Sequence, residues 1–134
     1  METKKLKNKV EKVSIILPTF NERENIIPLI NEIFNTFKNY SLEIIVVDDN
    51  SKDGTAELIK ELARKDQRIR LILRLGRSGL SSAIKEGLIS ATGSIGCVID
   101  TDGQVKSSDL KKAFDHLIKN NYDVVIGSRF LENS

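Results

Sequence analysis

The sequence predicts an α/β fold built on a doubly wound, mostly parallel sheet. Short apolar runs alternate along the chain with longer segments whose apolar residues recur at helical spacing, in the order β-α-β-α-β-α-β-α-β. The short runs are aliphatic throughout, as expected for strands whose two faces are both covered by helices. Right-handed crossovers between such strands lead to a doubly wound parallel sheet.

Five strands are predicted from the short apolar runs, and polar or turn-forming residues end each of them. The first closes at Pro18, the second ends at Asp48 and the fourth at Asp100, while a glycine follows the fifth. The predicted strands span residues 13–17, 42–47, 69–73, 95–99 and 123–126.

Four helices are predicted between the strands. Asn25 is expected to cap the first, which places Pro28 in the first turn, where its missing N–H costs little. Gly93 suits the C-terminal cap of the third helix. The predicted helices span residues 25–37, 55–65, 79–92 and 107–120.

Composition and charge narrow the function classes. The 134 residues are 40% hydrophobic and 30% charged, which suits one soluble domain. No apolar run approaches the ~18 residues of a membrane span and no apolar h-region follows the start, so we expect no signal peptide and a cytoplasmic location. Residues 1–12 hold five lysines against two glutamates and are expected to form a basic, solvated tail, with a contact to anionic lipid as the alternative. The remaining residues carry a net charge of −1, which argues against nucleic-acid binding.

Missing motifs exclude several kinds of site. The single cysteine, Cys97, rules out a disulfide framework, and the single histidine, His116, rules out a histidine-rich metal site. Any metal must then be held by carboxylates, which points to Mg²⁺, Mn²⁺ or Ca²⁺. The sequence contains no dinucleotide-binding or P-loop glycine pattern, and no nucleophile elbow around a serine.

Polar loops follow the predicted strands at the edge where parallel sheets bind ligands. Asp100 and Asp102 stand two residues apart just beyond the fourth strand, so they could share a divalent cation. The alternative is a turn in which Asp102 and Gly103 only supply the bend. Gly76 and Gly79 either form a tight turn or bring loop amides, with Arg77, to a sugar or phosphate. Because Glu22 and Asp49 also follow strand ends, neither is expected to belong to the core.

Five motifs in this order resemble the family 2 glycosyltransferases with the GT-A fold. The resemblance is greatest to the branch that transfers sugars to dolichyl or polyprenyl phosphate. It covers about residues 13–130, nearly the whole chain. The motifs are ILPTFNEREN at 16–25, IVVDDNSKDGT at 45–55, GLSSA at 79–83, DTDGQ at 100–104 and IGSRF at 126–130.

The resemblance implies a set of donor-binding residues. Pro18, Phe20 and Glu22 would hold the base and ribose, and Val47 and Asp49 would form a second nucleotide-contacting loop. Phe20 stands where the family often has tyrosine, which keeps stacking but loses the hydroxyl.

It also implies a catalytic and metal-binding group. Asp100 and Asp102 would bind Mg²⁺ or Mn²⁺ and the diphosphate, with Thr101 between them in the donor site. Gln104 would contact the metal or the donor, and Arg129 would lie near the diphosphate, so that Asp100, Asp102 and Arg129 act in catalysis. The segment at 105–108 (VKSS) departs from the His-Pro-Pro-like stretch usual in the family.

The implied organisation is a tail at 1–12 followed by a GT-A-like donor-binding domain at 13–134. Family members continue past the Gly-Ser-Arg arginine with further strands and an acceptor loop, so we expect this chain to be a piece of a longer protein or a naturally short donor half. The expected function is transfer of mannose or glucose from a GDP- or UDP-sugar to dolichyl or polyprenyl phosphate, at the cytoplasmic face of a membrane.

Two alternatives to a transferase remain open from the sequence. The first is a nucleotide-sugar-binding fragment with no turnover of its own. The second is a receiver-type signalling module, because Asp48 and Asp49 resemble its acidic pair. In receivers, however, that pair follows the first strand and a lysine follows the last, whereas here the pair follows the second strand and Arg129 follows the fifth.

Overall fold

A computed structural model describes residues 12–76, 79–101, 109, 111, 112, 114, 115 and 124–127, the last four by their backbone only. Its strands are β1 (Val13–Thr19), β2 (Leu42–Asp48), β3 (Ile69–Leu73), β4 (Ile95–Ile99) and β5 (Val124–Gly127). Its helices are α1 (Arg23–Thr36), α2 (Thr55–Lys65) and α3 (Leu80–Ser90). Residues 109, 111, 112, 114 and 115 are also helical, within the predicted fourth helix, whose ends lie outside the described residues.

The strands form one sheet in the order β3-β2-β1-β4-β5, and every neighbouring pair is parallel. The predicted doubly wound α/β fold is therefore confirmed. A receiver has the strand order 2-1-3-4-5. The observed order consequently rules out the receiver alternative.

Helices cover both faces of the sheet, which explains why its strands are apolar throughout. On one face, residues of β1 and β2 pack against α1, α2 and Phe114. On the other face, α3 packs through Ala83 against a smaller cluster that contains Ile16, Ile45 and Val98. Among the described residues, no helix is both long and apolar enough to cross a membrane.

β1 runs two residues further than predicted and includes Pro18. Pairing with β4 ends at Ile16, whereas pairing with β2 continues past Pro18 to Thr19. Proline is tolerated here because its missing N–H falls where the ladder to β4 has already ended.

The bounds of α1 and α3 also differ from prediction by one or two residues at each end. α1 begins at Arg23, because the carbonyl of Glu22 accepts the first helical hydrogen bond from the backbone N–H of Ile26 at 2.9 Å. Asn25 therefore lies inside the helix and does not cap it. α3 ends at Ser90 with Ala91 extended, so Gly93 is not its cap.

Candidate functional site

The central strand of the sheet marks where a ligand would bind. The chain runs from β1 outward through β2 to β3, and then returns to the other side of β1 to form β4. The loops after β1 and β4 therefore leave neighbouring strands in different directions and open a crevice at the carboxyl edge. The buried hydroxyl of Thr101 donates a 3.0 Å hydrogen bond to the carbonyl of Pro18, which ties these two loops together.

A cleft of about 180 Å³ lies at this position. Its walls come from the ends of β1, β2 and β4 and from the first turn of α3. The structure thus brings together six of the seven described residues that the sequence assigned to donor binding. The lining residues are Pro18, Thr19, Phe20, Glu22, Asp49, Leu80, Ala83, Asp100 and Thr101.

The seventh, Val47, lies in the core. Its side chain is fully buried in the cluster that α3 covers. The interpretation of Val47 as a nucleotide-contacting residue is therefore not supported by its side chain. Val47 lies within β2 under α3, whereas Asp49 follows the end of the strand and so reaches the cleft.

The adjacent aspartates after β2 differ in role. Asp48 is fully buried and accepts hydrogen bonds from the hydroxyl of Thr19 at 3.1 Å and from the hydroxyl and backbone N–H of Ser51 at 2.6 and 2.9 Å. Asp48 thereby holds the loop in shape. Asp49 alone of the pair lines the cleft.

Asp49 is more buried than the sequence predicts. It is only 7% exposed, and its carboxylate accepts a 2.7 Å hydrogen bond from Nε of Arg74. The expectation that Asp49 lies outside the core is therefore wrong, because this carboxylate is the partner of a buried guanidinium. Arg74 was not predicted as a site residue, although it directly follows Leu73, the last residue of β3.

The loop after β1 is held by hydrogen bonds to the loop after β2 and to the first turn of α1. Asn21 has a left-handed backbone (φ 53°), and its side-chain oxygen accepts a 2.9 Å hydrogen bond from the backbone N–H of Lys52. Glu22 is half-buried and accepts a 2.9 Å hydrogen bond from the side-chain amide of Asn25. Phe20 remains 43% exposed, so an aromatic surface stands at the cleft.

Asp53 joins the start of α1 to the start of α2. Its carboxylate accepts hydrogen bonds from the first backbone N–H of α1, at Arg23, and of α2, at Thr55. Partial burial alone would raise the pKa of Asp53. The hydrogen bonds from Thr55 and Arg23 outweigh that effect and lower it. Asp53 thus satisfies donors that helix starts leave without a helical partner.

Asp100 is the described member of the predicted metal-binding group, and it lines the cleft directly after β4. Asp102, Gln104 and Arg129 lie outside the described residues. Within the described part of the chain, no group of three histidine, cysteine or acidic side chains could hold an ion. Mg²⁺ needs no such cage, because it binds through one or two carboxylates, waters and substrate phosphates. A carboxylate at the cleft therefore fits a hard divalent cation.

Comparison with known proteins finds sugar-transferring enzymes that are similar to this chain. Residues 14–134 match the model of the family described as glycosyl transferase family 2. The chain is 41% identical over 121 residues to a dolichol-phosphate mannosyltransferase of Pyrococcus furiosus, with 90% of the chain and 34% of the relative covered. It is 34% identical over 130 residues to a dolichyl-phosphate beta-glucosyltransferase of Trichomonas vaginalis, with 89% and 40% covered.

A solved structure supports the same relationship. A mannosyltransferase from Pyrobaculum calidifontis in complex with GDP-Man and Mn²⁺ superimposes with a TM-score of 0.66 at 27% identity, and covers 86% of this chain and 37% of that one. The chain thus spans between a third and two fifths of the length of these proteins. By fold, by cleft and by a family match over almost all of its residues, this chain belongs to glycosyl transferase family 2.

Proposed function

We propose that this chain binds the nucleotide-diphospho-sugar donor of a glycosyltransferase that transfers mannose or glucose to dolichyl or polyprenyl phosphate. The observation that carries the proposal is the cleft beside β1, where Glu22, Asp49 and Asp100 come from three different strand ends. Ligands of open parallel sheets bind in the crevice beyond the carboxyl ends of the strands, next to the point where the strand order reverses. This cleft lies there and lines that crevice with carboxylate oxygens, so a ligand is the better explanation. The sugar and acceptor are proposed from the names of the relatives.

The first part of the proposal concerns the nucleoside. Phe20 offers an exposed ring on which a base can stack. Glu22 and Asp49 offer carboxylate oxygens that can accept hydrogen bonds from a base or from ribose hydroxyls. These three residues would therefore hold the base and ribose, with Pro18 and Thr101 fixing the two loops relative to each other.

The second part concerns the diphosphate. Asp100, together with Asp102 and Gln104, would hold Mg²⁺ or Mn²⁺, whose charge offsets that of the diphosphate when it is bound. Support comes from the carboxylate of Asp100 at the cleft and from the Mn²⁺ in the related mannosyltransferase structure. Arg129 is proposed to contact the diphosphate as a charged hydrogen-bond donor, a role that suits a guanidinium.

In the complete reaction, an oxygen of the acceptor phosphate would form a bond to the anomeric carbon of the sugar. The bond from that carbon to the diphosphate oxygen would break, and its electron pair would leave with the nucleoside diphosphate. An acceptor phosphate is already ionised near neutral pH, so no strong general base is required from the chain. We also propose that the reaction takes place at the cytoplasmic face of a membrane, with the basic segment at 1–12 near anionic lipid.

A second candidate function is donor binding without turnover. It is favoured by the extent of the match, since the chain corresponds to only 34% of the archaeal relative. Both candidates require the same nucleotide site, so the decisive first measurement is binding.

Isothermal titration of the 134-residue chain with GDP and with UDP, each with Mn²⁺ and with EDTA, tests the proposal. We expect one nucleotide to bind in Mn²⁺ and to lose at least about tenfold in affinity in EDTA, because Asp100 would help to hold the metal and the metal would offset the charge of the diphosphate. Asp100→Asn should weaken binding only when Mn²⁺ is present.

The matched control for the titration is Asp115→Asn, which makes the same chemical change at an exposed aspartate paired with Lys111. Its affinity should equal that of the unmodified chain. Equal affinity in Mn²⁺ and EDTA would disprove the metal role, and absence of binding to both nucleotides would disprove the proposed function.

A further inference from the structure

Arg74 is a buried arginine that directly follows β3. Its side chain is only 5% exposed, although it carries a full charge. Nε donates to Asp49 at 2.7 Å, Nη1 to the hydroxyl of Ser82 at 3.0 Å, and Nη2 to the carbonyl of Gly79 at 3.2 Å. Glu86 lies 3.5 Å from Nη1. The guanidinium therefore uses all three of its nitrogens.

These contacts join two separate walls of the cleft. Asp49 belongs to the loop after β2, whereas Gly79 and Ser82 belong to the start of α3. Both Asp49 and the first residue of α3, Leu80, line the cleft. One side chain therefore contacts both the carboxylate of Asp49 and the start of α3.

The geometry requires arginine specifically. The planar guanidinium donates in several fixed directions at once, whereas a lysine ammonium is a compact charge on a flexible stem. The backbone of Arg74 is also held, because its N–H donates to the carbonyl of Asp48 at 2.8 Å. The backbone of Arg74 is thus anchored to the end of β2, and its side chain ends in a planar group whose donors point in fixed directions.

We infer that Arg74 is a positioning residue for nucleotide binding, which acts by holding the Asp49 carboxylate in the orientation that meets the base or ribose. This inference rests on the proposed function, because it assigns Asp49 to the nucleoside. It assigns Arg74 no contact with the nucleotide. Arg74 determines affinity by keeping Asp49 ordered before the ligand arrives.

A double-mutant cycle in nucleotide affinity tests the inference, with Arg74→Lys, Asp49→Asn and the double variant titrated with GDP and UDP in Mn²⁺. We expect each single substitution to weaken binding about tenfold, and the double variant to bind about as weakly as Asp49→Asn alone. A residue that acts only through Asp49 has nothing left to position once that carboxylate is gone.

The matched control is Arg70→Lys. Arg70 also donates to a buried carboxylate, that of Glu43 at 3.0 Å, and to the carbonyl of Ser90 at 2.9 Å, but it lies on β3 away from the cleft. Thermal melts should show that both arginine variants lose stability, whereas only Arg74→Lys loses nucleotide affinity. This difference separates positioning from a general loss of stability.

Ser82→Ala provides a second route if Arg74→Lys does not fold. It removes one partner of Arg74 without altering Asp49, and we expect about two- to threefold weaker binding that disappears in the Asp49→Asn background. Effects that multiply in the double variant would overturn the inference, because Arg74 would then influence affinity by a route other than Asp49. Full affinity in Arg74→Lys would overturn it too. Absence of binding by the unmodified chain would instead refute the proposed function, and the inference with it.

Discussion

The buried carboxylate of Glu43 stabilises the end of the sheet opposite the cleft. It is 3% exposed and lies within the apolar strand β2. Its oxygens accept hydrogen bonds from the hydroxyl of Ser14 at 2.6 Å, from the backbone N–H of Thr92 at 2.6 Å and from Arg70 at 3.0 Å. Burial alone would raise the pKa of Glu43, but these hydrogen bonds outweigh it and lower the pKa to about 2.

The depressed pKa of Glu43 predicts how stability depends on pH. In the unfolded chain the carboxyl takes up a proton near its ordinary pKa of 4.5, whereas in the folded protein it remains ionised down to about pH 2. Its contribution, at most about 3 kcal/mol, is therefore complete above pH 5 and is lost as pH falls toward 2. Urea unfolding at pH 7, 5, 3 and 2 should show this loss in the unmodified chain and a smaller one in Glu43→Gln.

Glu61→Gln is the control for this experiment. Glu61 is exposed on α2 and pairs with Arg64 and Lys65, so its removal should change the free energy of unfolding by less than about 0.5 kcal/mol. If Glu43→Gln is as stable as Glu61→Gln at pH 7, the hydrogen-bonded cluster does not stabilise the fold.

At the scale of elements, α3 can approach the sheet closely because Gly87 has no side chain. A Cβ built at Gly87 would lie 2.4 Å from Cγ2 of Ile16 and 3.2 Å from Cγ2 of Val47. Both neighbours are fully buried and cannot move aside into solvent. The glycine therefore sets the distance between α3 and the sheet.

Gly87→Ala is consequently expected to destabilise the protein, although alanine favours helices. Overpacking a core costs about 1–3 kcal/mol, and a contact as short as 2.4 Å places Gly87→Ala toward the upper end of that range. This cost exceeds the gain of about 1 kcal/mol that alanine brings in helix propensity. Chemical unfolding should show a net loss of stability. The control is Gly76→Ala, where a Cβ would have no atom within 4 Å and stability should hold or rise slightly. A Gly87→Ala variant as stable as the unmodified chain would mean that α3 can shift without cost.

At the scale of the whole molecule, the strand order concentrates stability in the middle of the sheet. β1 is paired on both sides and all of its residues are buried, whereas β3 lies at one edge of the sheet within the described part of the chain. β3 is also more exposed than β1, because Ile69 is its only buried residue. Local opening should therefore begin at β3 and not at β1.

Amide hydrogen exchange tests this distribution. We expect backbone amides of Ile15 and Ile16 to exchange only by global unfolding, and those of β3 to exchange at least about tenfold faster through local opening. Low concentrations of urea should accelerate exchange in β1 in proportion to global unfolding and leave the fast amides of β3 unaffected. Equal protection in β1 and β3 would show that the sheet opens as one unit.

The sequence by itself determined the elements and the edge on which the site lies. Strand and helix patterns are local, so the runs at 69–73 and 95–99 and the helix at 55–65 were predicted to the residue. Parallel strands place their carboxyl ends together, so the positions of Phe20, Glu22 and Asp100 at one cleft also followed from the order of elements. The motifs at those ends were specific enough to indicate the family.

Only the tertiary structure decided which polar residue does what. Asp48 and Asp49 look alike in sequence, and their roles separate because one faces Thr19 and the other faces Arg74, 25 residues further along. The burial of Glu43 likewise depends on a partner 49 residues away, Thr92. Such pairings are set by strand order and by the packing of α3, and a carboxylate carries no local signal of which distant donor it will meet.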